Sequence, residues 1–168
     1  PQSQLKDIMC FARNIYVLPR TKASLQCIAK DTIWIGENCN LSYPSALSLF
    51  PDTASESSKL IQISEGSVIE GVIADYVTSS DPEVDLTAIK LEKNSHITGQ
   101  LFTSNSMNLK GNVSGQVITG KFQLPTPSSL YINHLLDVRI RISELPEDFV
   151  GCGFLENSRP KKIIRWLH

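Results

Sequence analysis

The feature that most limits how this chain can fold is a recurring apolar–x–apolar triplet. It occurs as Ile15-Tyr16-Val17, Ile33-Trp34-Ile35, Ile61-Gln62-Ile63, Ile89-Lys90-Leu91 and Met107-Asn108-Leu109, with starts 18, 28, 28 and 18 residues apart. Each long gap equals the short one plus ten, and each holds a loop-like stretch, near 51–58 and near 79–86. A triplet of this form puts two side chains on one face of a strand and one on the other. Segments so short make no sheet alone, so they must stack on equivalent segments elsewhere in the chain.

The flanks repeat too. Cys10-Phe11-Ala12-Arg13-Asn14 precedes the first triplet, and Cys27-Ile28-Ala29-Lys30-Asp31 precedes the second. Gly66-Ser67-Val68-Ile69-Glu70-Gly71-Val72-Ile73 aligns with Asn94-Ser95-His96-Ile97-Thr98-Gly99-Gln100-Leu101, and Asn112-Val113-Ser114-Gly115-Gln116-Val117 is a shorter copy. Glycine and asparagine at these corners suit tight bends and positive φ. The pattern predicts an all-β, single-domain parallel β-helix, or β-solenoid, with about 18 residues per coil and two loop insertions. Residues 1–127 are expected to form the coils, with insertions near 51–58 and 79–86. Residues 128–168, where the repeat fades, are expected to form a C-terminal cap with a basic amphipathic tail at 161–167. The rival architecture is an antiparallel sandwich.

Composition narrows the function classes. Of 168 residues, 41% are apolar and 20% charged, which fits one folded domain and argues against bulk disorder. A net charge of -1 argues against a nucleic-acid partner, which would call for a basic excess. No apolar run reaches the length of a membrane helix. Membrane contact is expected only through a segment missing from this chain, or weakly through the basic tail. The chain starts at Pro1 rather than Met, so a segment upstream is expected to have been removed, and these residues leave open whether it held a signal or an anchor. Cys10, Cys27, Cys39 and Cys152 form no C-x-x-C pair, which points to buried thiols rather than a zinc site.

Catalytic signatures are missing from the chain. His96, His134 and His168 have no zinc-hydrolase spacing, and there is no nucleophile elbow, Walker loop or dinucleotide fingerprint. The expectation is a non-enzymatic structural or interaction module without catalytic residues, metal or cofactor. Its candidate interaction surface comprises Tyr16, Trp34, Asp75, Asp81 and Asp85. Tyr16 and Trp34 hold the middle positions of adjacent triplets and would stack as an exterior aromatic ladder. That ladder either binds sugar or protein or is covered by the N-terminal segment or an insertion loop, the second being favoured. Asp75, Asp81 and Asp85 concentrate acid near an insertion, where a carbohydrate-binding or carbohydrate-active site is the alternative reading.

The segment Val68-Ile69-Glu70-Gly71-Val72-Ile73-Ala74, echoed at residues 97–101 and 113–117, resembles the bactofilins. The resemblance implies a bacterial polymer-forming scaffold and a homo-oligomer. It covers residues 61–124 well and 8–50 loosely, and the insertions and the C-terminal cap depart from it. The run from Asp31 through Leu47 is weakly similar to uncharacterised membrane-anchored bacterial envelope proteins. That likeness implies other envelope proteins as partners and an extracytoplasmic location, with a cytoplasmic scaffold as the alternative.

Overall fold

A computed structural model describes residues 5–50, 59–76 and 87–152 of the chain. Its strands are β1 (Leu5–Val17), β2 (Lys22–Ile35), β3 (Asn40–Leu49), β4 (Leu60–Ile63), β5 (Val68–Asp75), β6 (Thr87–Leu91), β7 (His96–Leu109), β8 (Asn112–Pro125) and β9 (Leu130–Ile132). The described residues contain no α-helix, only a 3-10 turn at Ile142–Glu144. Pairing is parallel throughout except between β8 and β9. This excludes the antiparallel sandwich.

The expected fold class, a parallel β-helix or β-solenoid, is corrected by the hydrogen-bond path. Six strands close into a ring in the order β5–β3–β2–β4–β6–β7 and back to β5. The sheet is therefore a closed six-strand parallel β-barrel, with β1, β8 and β9 as extra strands. Closure comes from two long strands that each serve two partners. Strand β2 pairs with β3 along its first part, through Ala29, and with β4 from Thr32 to Ile35. Strand β7 pairs with β5 from His96 to Thr103 and with β6 from Ser106 to Leu109.

The triplets lie side by side in this sheet. Ile15 neighbours Ile33, Ile33 neighbours Ile61, Ile61 neighbours Ile89, and Ile89 neighbours Met107. The outer residues of the four triplets from Ile33 to Leu109 are buried in one apolar core. Leu41, Ile69, Ile97 and Val113 form a second buried row, and Leu47, Ile73 and Leu101 contribute to a third. Full burial of each such side chain is worth about 1.5–3 kcal/mol, which makes these rows the main favourable term. Serine recurs at corners because its hydroxyl satisfies backbone there. Ser67 Oγ accepts from Cys39 N–H and donates to the Gly36 carbonyl, and Ser95 Oγ donates to the Glu92 carbonyl.

The two outermost long strands are treated differently. The free edge of β8 is engaged by residues that follow it. Val113 N–H donates to the Arg139 carbonyl at 2.8 Å, and Arg141 N–H donates to the Val113 carbonyl at 2.9 Å. Asn133 N–H donates to the Phe122 carbonyl, while Phe122 N–H donates to Asn133 Oδ1. Beyond them β9 pairs antiparallel with residues 123–125, and Ser114 Oγ donates to Glu144 Oε2 at 2.6 Å. The expected insertions at 51–58 and 79–86, and the basic tail at 161–167, lie outside the described residues.

Candidate interaction surfaces

Strand β1 pairs with β2 alone among the described residues. A strand in that position offers a row of backbone N–H and C=O groups along its outer edge. Its inward row is also incompletely covered. Ile8, Cys10 and Ile15 pack on the core yet are only half-buried, whereas their neighbours Leu25, Cys27 and Ile33 on β2 are buried. Its outward row carries Met9 at 69% and Phe11 at 64% exposure. Residues 8–12 thus form an unbroken apolar run, Ile-Met-Cys-Phe-Ala, on a strand whose outward face meets solvent. The sequence signal that marks it is that continuity: an alternating strand half in water would put polar residues at 9 and 11.

Two irregularities bound the same run. The register between β1 and β2 shifts between Leu5 and Ile8, and again between Ala12 and Asn14. At the first shift Asp7 takes a positive φ of 54°. Its carboxylate lies 3.4 Å from Ser24 Oγ, which donates to it. Within the second shift, the exposed Arg13 guanidinium pairs with Asp31 at 3.1 Å.

Tyr16 and Trp34 are in register on β1 and β2, and their rings meet edge to face at 6.1 Å with 80° between planes. The two stack side by side as an aromatic ladder, 62% and 42% exposed, and both the chain start at 1–4 and the insertion at 51–58, the segments expected to cover them, lie outside the described residues. Asp75, the third candidate, is not on the surface. It is fully buried and accepts hydrogen bonds from Thr103 Oγ1 and Asn105 Nδ2, each at 2.9 Å. Its carboxylate ties β5 to β7 on either side of Ser104, at the register shift between Thr103 and Ser106. Asp81 and Asp85 lie outside the described residues.

A recess elsewhere, unmarked by the sequence reading, is lined by Tyr43, Glu70, Thr98, Pro146, Asp148 and Phe149, with a volume of about 210 Å³. Tyr43 and Phe149 approach at 5.7 Å across it. The residues that line it come from β3, β5, β7 and the segment after the 3-10 turn, which no local motif links. No group of three or more metal-ligating side chains occurs among the described residues. His134 Nδ1 is 2.8 Å from the Ile132 carbonyl and its ring packs near Tyr131. His96 lies in register between Val68 and Asn112. Burial pushes the Cys27 thiol up to about 12, with Cys10 beside it reinforcing the shift. Cys39 and Cys152 are raised by burial as well.

No family model, no curated protein and no solved structure matches this chain.

Proposed function

We infer that this chain is a non-enzymatic structural or interaction module that self-associates through the outer edge of β1. The observation that carries this reading is the inequality of the two extra long strands. The edge of β8 is engaged by β9, Asn133 and residues 139–141. The edge of β1 has no strand partner among the described residues and lies beside half-buried Ile8 and Cys10. An edge of this kind gains backbone hydrogen bonds and apolar burial when another strand is added. The carbohydrate alternative draws no support from Asp75, whose buried carboxylate faces Thr103 and Asn105 rather than solvent.

The test is solution mass by light scattering across a concentration series. Mass that rises above the monomer with concentration is expected. A monomer at every concentration would contradict self-association.

A further inference from the structure

We propose that the partner at the β1 edge is a second copy of this chain, paired antiparallel about a two-fold axis at Cys10, so that assembly stops at a dimer. The proposal rests on the reading just given and adds the partner, the register and the stoichiometry.

Three features select that arrangement. The first is geometric. The register shifts on either side leave residues 8–12 as the longest regular run of β1, and Cys10 is its midpoint. A bulge disrupts a ladder locally, so a new partner strand pairs best where none intervenes. A two-fold at Cys10 aligns this run with itself and leaves both irregularities outside.

The second feature is apolar matching. In this register Met9 of one copy stands opposite Phe11 of the other, twice, on the outward face. Ile8 stands opposite Ala12, and Cys10 opposite Cys10, on the inward face. Directly opposed residues in an antiparallel pair share a face, so exposed meets exposed and half-buried meets half-buried. The half-buried inward rows of two copies then extend one another.

The third feature is charge. Flanking the run, at the two irregularities, the count along the chain brings Asp7 of one copy level with Arg13 of the other, again twice. Arg13 has an exposed guanidinium with more donors than its bond to Asp31 uses. The interface is isologous, because the same surface is used by both copies and closes on itself. A head-to-tail filament would instead require the edge of β8, which is already engaged.

The test uses the full chain and sedimentation velocity. Wild type is expected to plateau at the mass of a dimer. Asp7→Lys alone places Lys against Arg13, and Arg13→Glu alone places Glu against Asp7, so each is expected to weaken dimerisation about tenfold or more. Mixing the two variants restores both complementary pairs in a heterodimer, an effect that loss of structure in either variant would not produce. Phe11→Lys, at an exposed position, is a second route to the monomer. Register is read in a Cys10→Ser, Cys152→Ser background by mixing Met9→Cys and Phe11→Cys proteins, which are expected to cross-link to each other faster than either does to itself. Mass growth beyond the dimer would overturn the proposal. So would association with no rescue on mixing and no preferred cross-link, which would leave the self-association reading standing. A monomer at all concentrations would overturn both.

Discussion

A Cβ on Gly99 would collide with the carbonyl oxygen of Gly71. The two are in register on β7 and β5, and Gly115 on β8 stands in the same relation to Gly99. All three hold φ between 148° and 153°, a region that costs any side-chain-bearing residue strain. Replacement of Gly99 by Ala is therefore expected to cost on the order of 3 kcal/mol or more. Urea unfolding measures it, and a midpoint equal to that of wild type would show that the column tolerates a methyl group.

Asp75 is expected to act as a structural acceptor rather than a ligand for solutes. Asp75→Ala leaves the Thr103 hydroxyl and the Asn105 amide without this partner, a loss of about 1–3 kcal/mol for a buried polar group. The unfolding free energy checks the loss. Calcium or glycans added to wild type are expected to leave the melting temperature unchanged, and a saturable rise would return the acidic segment to consideration as a site.

The Cys27 thiol carries a pH signature. Its pKa in the folded chain is about 12, against an ordinary value of 9.0. The neutral thiol is favoured by folding, so this contribution to stability is full below about pH 9 and falls as pH rises towards about pH 12. Wild type is expected to lose stability across that window more steeply than Cys27→Ala. Equal slopes would contradict the assignment. Cys27 is also expected to resist thiol reagents at pH 8 until the chain unfolds, because the thiolate is the reactive form.

Glu144 gives the opposite sign. The hydrogen bond from Ser114 is the first cause that holds its pKa below the ordinary 4.5, and the Arg141 guanidinium at 2.8 Å adds to it. Stability from this contact is present above the ordinary carboxylate range and is lost as pH falls through the lowered folded value. Ser114→Ala is expected to flatten stability against pH in the acid range. A profile unchanged by that substitution would show that the 3-10 turn is held by other means.

How far the sequence disclosed the fold differs from element to element. The apolar triplets, read only from alternation and spacing, lie beside one another in the sheet from Ile15 to Met107. Alternation reports which face of a strand is buried, and spacing reports which residues can neighbour each other. Neither reports how the hydrogen-bond path closes. The ring depends on β2 and β7 each changing partner part-way along, at residues with no local signature for it.

The candidate surface was legible in the same uneven way. Tyr16 and Trp34 were placed together by the repeat, because equivalent middle positions must neighbour each other. Asp75 reads in the sequence as a loop acid because it stands next to an insertion, and only the assembled sheet shows its partners on β7. The apolar run at 8–12 was visible in the sequence. Its meaning depended on β1 being an outermost strand, which is a property of the assembled sheet.

The central claim is that the outer edge of β1 is where a second chain adds. Amide hydrogen exchange across residues 8–12, compared at low and high protein concentration, tests it most directly. Alternate residues of that run point their N–H groups outward, and these are expected to exchange more slowly as concentration rises. The buried amides of β4 serve as the reference and are expected to stay unchanged. Exchange at residues 8–12 that is independent of concentration would contradict the account.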